Sequence, residues 1–259
     1  MTRRVAVIGD VHGNLHALRA VLDEIDSAGV STIVCAGDLV GYGPHPNECV
    51  ELVAGTGALC VAGNHDLMAI GQLPVDGGRL VQQTQEWTRA ELTAEARAYL
   101  AALPVTAASG GIVVAHGSLD DPTKYVVSDR DGWAEIGKAA GRHPGARLLV
   151  LGHTHQRRVL PQHGPAASLT GDSVELEPGR RYLLNPGSVG QSRDWIPALR
   201  ARFMFVDLEA GDVACMSVGY DVAACSAALR ERGLPAFSMH LPPGRFGRAA
   251  VYLRDAIHA

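Results

Sequence analysis

Aspartate, asparagine and histidine recur beside glycine at five places in the chain: Asp10 with His12, Asp38, Asn64 with His65, His116, and His153 with His155. Each group follows a short apolar run rich in β-branched residues, so each is expected in a loop leaving a strand. In α/β sheets the loops at the carboxyl ends of the strands open on a common crevice. Carboxylate and amide oxygens mixed with imidazoles suit divalent first-row metals, Mn foremost with Fe, Zn, Co and Ni, whereas Ca or Mg sites are nearly all oxygen. The donors suffice for two ions. One aspartate or asparagine at a strand end is ordinarily a helix cap, but capping does not account for the histidines. Asp10 and His12 face one centre only if the chain bends, and Gly9 and Gly13 are expected to supply that bend. His153 and His155 repeat the spacing behind Gly152.

A repeated pattern must position these loops. Residues 5–8, 32–35 and 58–61 read as the first three strands. Between them Leu15, Leu18, Leu22 and Ile25 recur at helical spacing, and Pro46 and Asn47 open a second helix through Leu52. Asn14 is placed to cap the first helix and, directly after the first loop, is also a candidate catalytic residue. A Gly- and Pro-containing stretch at 71–78 precedes a helix expected from about 84 to 103, ended by Pro104, which could cap one face. Strand runs return at 111–115, 148–151, 182–184 and 203–206, with a hairpin signal at Ala210-Gly211-Asp212. Asp221 caps a last helix to 232, and the tail after Gly233 loses periodicity and is expected to be partly mobile. No repeat or linker interrupts residues 1–259, so a single domain is expected.

Bulk properties narrow the function. Of 259 residues, 47% are hydrophobic and 19% charged, ordinary for a globular chain with ample core. A net charge of −4 gives no long-range attraction for a polyanion, so no extended nucleic-acid interface is expected, and any phosphate must be captured locally. Five cysteines without a CxxC pair suit a reducing compartment, with Cys35 and Cys60 read as small buried hydrophobes. The first apolar run is too short for a signal peptide and none is long enough to span a bilayer, so a soluble, cytoplasmic protein without a membrane partner is expected.

The blocks Gly9-Asp10-Val11-His12-Gly13, Gly37-Asp38-Leu39-Val40-Gly41, Gly63-Asn64-His65-Asp66, His116 and Gly152-His153-Thr154-His155 resemble those of the calcineurin-like metallophosphoesterase superfamily. The run Asn185-Pro186-Gly187-Ser188-Val189-Gly190, and His116-Gly117-Ser118 through Asp121-Pro122, are similar to its smaller bacterial phosphodiesterase-like branch. The resemblance implies an α/β fold, a two-sheet αββα sandwich of mixed sheets flanked by helices, with two divalent ions at one edge. It implies that Asp10, His12 and His155 hold one ion, that Asn64, His116 and His153 hold the other, and that Asp38 bridges them at about 3.5–4 Å. A hydroxide shared by the ions would be the nucleophile. His65 would meet the substrate, protonating the leaving oxygen or stabilising phosphoryl charge. Asp66 would either orient His65 or cap the next segment.

Protein serine/threonine phosphatases carry Gly-Asp-x-Val-Asp-Arg-Gly in the second block, and the arginine grips phosphate; here Gly41-Tyr42-Gly43 stands at that point. A monoester dianion gains more from such a clamp than a diester monoanion. The expected substrate is therefore a small or nucleotide-type phosphodiester. Arg193 could replace the clamp or be a solvated surface charge, and Tyr42 and Tyr125 could stack on a nucleobase or pack beneath their loops. The alternatives are a phosphomonoesterase or protein phosphatase, a dinucleoside polyphosphate hydrolase, or a non-catalytic scaffold such as the retromer subunit that resembles this family. Every motif position holds a metal-competent residue, which argues against the scaffold. His16 could support the site, while His45, His143, His163, His240 and His258 receive no role.

Overall fold

The strand β1 (Arg4–Ile8) buries Val5 and Val7 on one face and Ala6 and Ile8 on the other. A strand apolar on both faces must lie between two covering layers. In the computed structural model, which describes residues 4–169, 173–191, 193 and 199–239, those layers are a helical layer and a second sheet.

The first sheet has β1 at its centre. Parallel to it run β2 (Thr32–Cys35) and then β3 (Leu59–Cys60), and on its other side lie antiparallel β10 (Ala201–Asp207), β11 (Asp212–Val218) and the edge strand β8 (Ser173–Glu175). The second sheet is ordered β4 (Thr106–Ser109), β5 (Ile112–Ala115), β6 (Leu148–Val150), β9 (Tyr182–Asn185) and β7 (Arg158–Pro161), with β5, β6 and β9 mutually parallel. Val5, Val7, Val34 and Met204 of one sheet pack on Ile112, Val114, Val150 and Leu184 of the other. The outer face of the first sheet is covered by α1 (Leu15–Ser27), α2 (Pro46–Gly55) and α5 (Ala94–Ala102), and that of the second by α6 (Asp129–Arg142) through Ile136 and Ala139. The result is the αββα sandwich with mixed sheets that the sequence led us to expect. Burying a side chain such as Leu18, fully enclosed on α1, contributes roughly 1.5–3 kcal/mol.

Several expectations are corrected. The helix expected from 84 to 103 is two helices, α4 (Arg79–Glu91) and α5, broken at Leu92. Thr93 ends the break by accepting from Ala96 N–H, and Asn47 clamps it, donating to the Glu91 carbonyl at 2.9 Å and accepting from Thr93 N–H at 2.9 Å. Leu103, preceding Pro104, is extended with ψ of 133°, which fixes the final stop. The short α3 (Asn64–Ala69), α6, β4, β7 and β8 were not anticipated. α6 carries a weak signal because Gly132 and Glu135 interrupt its buried stripe, yet Ser128 caps it by accepting from Asp131 N–H. The last helix, α7 (Val222–Glu231), is capped by Asp221 as expected, and beyond it Leu234, Ser238 and Met239 are buried. The rest of the tail, with His240 and His258, lies outside the described residues. Among the described residues no helix is long and apolar enough to cross a membrane.

Candidate metal centre

Among the described residues, six non-glycines have left-handed backbone: Asp10 (φ 53°), His12 (52°), Asp38 (55°), Tyr42 (61°), His153 (65°) and His155 (59°). Five are expected ligands. Asp and His tolerate this region better than most residues, at a cost of roughly 1–2 kcal/mol each. The bend assigned to glycine is thus made largely by the donors themselves. Gly13 shares it at φ 64°, but Gly9 serves close approach, since a Cβ there would stand 3.1 Å from that of Ala36. Gly63 is likewise fixed by space: a Cβ would meet Asp38 Oδ1 at 2.1 Å.

The donor loops leave β1, β2, β3, β5 and β6. Parallel strands within each sheet place these ends on one edge, and hydrogen bonds join the two sheets there. His153 N–H donates to Asp10 Oδ1 at 3.0 Å, and His116 Nδ1 donates to the Ala36 carbonyl at 2.7 Å. All seven expected ligands are buried and converge. Asp10, His12 and His155 form one cluster and Asp38, His116 and His153 a second, each with ligand atoms within 4.8 Å of one another. Asn64 joins the second, its Oδ1 3.0 Å from His116 Nε2. Asp38 Oδ2 stands between them, 3.1 Å from His116 Nε2 and 3.7 Å from His12 Nε2.

Tautomers follow from backbone partners. His12 Nδ1 donates to the Val40 carbonyl at 3.2 Å and His155 Nδ1 to that of Gln191 at 2.8 Å, so the Nε2 lone pairs of both rings converge at 3.0 Å. His153 donates Nε2–H to the Thr123 carbonyl at 3.0 Å, leaving Nδ1 as its ligand atom. Facing lone pairs, and an Asp10 Oδ2 buried without a protein partner, are the arrangement a cation resolves. The two clusters fit a binuclear site.

Electrostatics agree. Burial holds His12 and His153 well below the ordinary imidazole value, keeping them neutral as ligands must be. Burial also opposes charge on Asp38 and His116, but their mutual attraction wins: Asp38 lies well below the carboxylate range and His116 rises to about 10. The field that holds a proton on His116 is one that favours a divalent cation.

His65 stands apart from the donors. Its backbone N–H donates to Asp38 Oδ1 at 2.8 Å, and its ring packs between Tyr42 and His12. Burial lowers its pKa to about 4. It lines a cleft of about 500 Å³ with Asn64, His153, Thr123, Tyr125 and Arg193, a volume suited to a small ligand. Arg193 is half-buried, and its charge acts on both His65 and His153, so it is no remote surface group.

Asp66 accepts Leu39 N–H (2.8 Å), Val40 N–H (3.1 Å) and Gly63 N–H (2.9 Å). It therefore caps α3 and pins the Asp38 loop, and no hydrogen bond ties it to the His65 ring. Burial and the Asp38 charge push it up to about 7 against those donors. Asn14, a catalytic candidate from the sequence, is committed to scaffolding: Oδ1 accepts from Ala17 N–H at 3.1 Å and Nδ2 donates to the Gly190 carbonyl at 3.0 Å. Tyr42 is only 6% exposed and lies against His12 and His65, at the wall of the same cleft. Tyr125 stacks on His153 at 3.9 Å between centroids. His16 lies against His45, not against a ligand.

Sequence reasoning did not single out the supports. Asn185 donates to the Gly152 carbonyl at 2.7 Å, Ser188 Oγ donates to the Asp10 carbonyl at 2.8 Å and accepts from Gln191 N–H at 2.7 Å. The motif at 185–190 was visible, but not its role of fastening the Asp10 and His153 loops together. Gln85 of α4 contacts the His65 ring and carried no signal at all.

A family model described as calcineurin-like phosphoesterase matches residues 3–170. An uncharacterised protein of Methanocaldococcus jannaschii is 32% identical over 239 residues, covering 89% of this chain and 93% of that one. A symmetrical bis(5'-nucleosyl)-tetraphosphatase of Proteus mirabilis is 40% identical, but over 68 residues, 25% of each chain. Among solved structures, a metallophosphoesterase from Sphaerobacter thermophilus superposes with a TM-score of 0.74 at 36% identity, covering 92% of this chain and 97% of that chain.

Proposed function

The chain belongs to the calcineurin-like phosphoesterase family, and from that premise we propose that it hydrolyses a small or nucleotide-type phosphodiester in the cleft above a binuclear centre. Asp10, His12 and His155 would hold one ion, Asn64, His116 and His153 the other, with Asp38 bridging; Mn is the preferred metal. Two such cations, when bound, activate the attacking water and neutralise phosphoryl charge. His65, on the cleft wall, hydrogen-bonds the phosphoryl or leaving oxygen, and Arg193 offsets the remaining negative charge.

The observation that carries the diester reading is at position 42. Where an arginine would grip a dianion stands Tyr42, buried against His12 and His65. Among the described residues the cleft wall carries one arginine, Arg193, and one aspartate, Asp76, so these side chains supply no net positive charge, which suits a monoanionic diester better than a dianionic monoester. The cleft, about 500 Å³ among the described residues, has room for a nucleotide-sized group. A dinucleoside polyphosphate is the second reading, supported by the local similarity to the tetraphosphatase.

The test is a comparison of bis-p-nitrophenyl phosphate, p-nitrophenyl phosphate and diadenosine tetraphosphate on protein loaded with Mn. We expect the highest kcat/KM on the diester. A higher value on the monoester would overturn the diester preference, and one on the tetraphosphate would select the second reading.

A further inference from the structure

We infer that Gln85 is a positioning residue for His65, fixing the tautomer that carries hydrogen on Nε2 and presents that N–H to the cleft. The inference rests on the reading of His65 as the group that meets substrate. Gln85 lies on α4, fully buried, with its amide nitrogen 2.7 Å from His65 Nδ1 and 3.2 Å from the His65 backbone carbonyl. A carbonyl only accepts, so the NH₂ end of the amide must face it. The same NH₂ then donates to Nδ1, which must be the unprotonated ring nitrogen. A neutral imidazole so held carries its hydrogen on Nε2.

Two further observations support the pairing. A Cβ at Gly41 would stand 2.6 Å from His65 Nδ1 and 3.0 Å from Gln85 Nε2, so a side chain there would occupy the space of this contact. Gly41 takes the place of the second aspartate in the protein-phosphatase pattern, and its φ of 87° suits glycine. In addition, Gln85 Oε1 is buried without a hydrogen-bond partner, so the hydrogen bonds of the amide are those its NH₂ end makes to His65. The helix is anchored to deliver the amide, for Arg89 Nε donates to the Met68 carbonyl of α3 at 2.8 Å.

The experiment reads the imidazole nitrogens of His65 by long-range ¹H–¹⁵N spectra of the zinc-loaded protein, the signals being assigned by their loss in His65→Asn. The native protein should show a protonated Nε2 and an unprotonated Nδ1. Gln85→Glu, of nearly the same shape but accepting at that point, should draw hydrogen onto Nδ1 and lower kcat on bis-p-nitrophenyl phosphate about ten-fold, the weight of one net hydrogen bond, with KM and metal content unchanged. A native His65 protonated on Nδ1, or a Gln85→Glu protein with native nitrogen shifts and kcat, would overturn the inference. If the native protein hydrolysed no ester, the catalytic reading would fall while the nitrogen shifts still decided the tautomer.

Discussion

Asn64 and His65 are adjacent yet turn to different work: the Asn64 amide reaches His116 in the second cluster, while the His65 ring faces Gln85 and the cleft. Under the proposed function, that divergence would separate metal binding from turnover at neighbouring positions. His65→Asn should keep two metal equivalents per chain, measured by elemental analysis, while kcat falls roughly 10²- to 10⁴-fold, the range for loss of a positioned proton donor. Loss of metal in that variant would instead make His65 part of the ligand set. The backbone strain at Asp10, His12, Asp38, His153 and His155 belongs to the same level of organisation. Each residue adopts a conformation it disfavours in order to aim its donor atom, and buried hydrogen bonds of the loops hold it there.

Among the connecting elements, the turn after β9 does the most for the site. Ser188 holds the Asp10 carbonyl with its hydroxyl and accepts Gln191 N–H, and the Gln191 carbonyl in turn receives His155 Nδ1–H. One turn therefore orients two donors of the first cluster. Groups that orient metal ligands typically cost 10- to 100-fold in metal affinity when removed. Ser188→Ala should weaken Mn binding by about that factor in calorimetric titration, with the circular dichroism of the fold retained. Unchanged affinity would show that the strained loop at Asp10 holds itself. The break between α4 and α5 has a related effect. It lets α4 lie over α3 with Gln85 against His65, while α5 returns to the outer face of the first sheet.

Across the molecule as a whole, the donors sit where two sheets meet, and neither sheet holds a complete set. Asp10, His12, Asp38 and Asn64 come from the first sheet and its loops, and His116, His153 and His155 from the second. An ion bound there ties the sheets together and stabilises the native state by mass action, roughly 2.7 kcal/mol at a free concentration 100 times Kd. Chelation should therefore lower Tm, and added Mn should restore it. A Tm indifferent to both would mean that the ions do not bind the folded centre under those conditions.

The sequence by itself determined the Gly-flanked Asp, Asn and His residues that the structure gathers, a mixed α/β fold, the first three strands and the capped first helix, while the αββα arrangement came from the family resemblance. These depend on residue type and short-range spacing, which are local properties of the chain. Only the tertiary structure decided the rest. The histidine rings are held by the backbone carbonyls of Ala36, Val40, Thr123 and Gln191, and a carbonyl leaves no mark in residue identity. Asn47 splits a helix at Leu92 from a distant part of the chain, Tyr42 packs on His12 and His65 at the cleft wall, and Gln85 reaches His65 from an otherwise ordinary helix. Such contacts join residues far apart in the chain, so their energies are set by the folded distance alone.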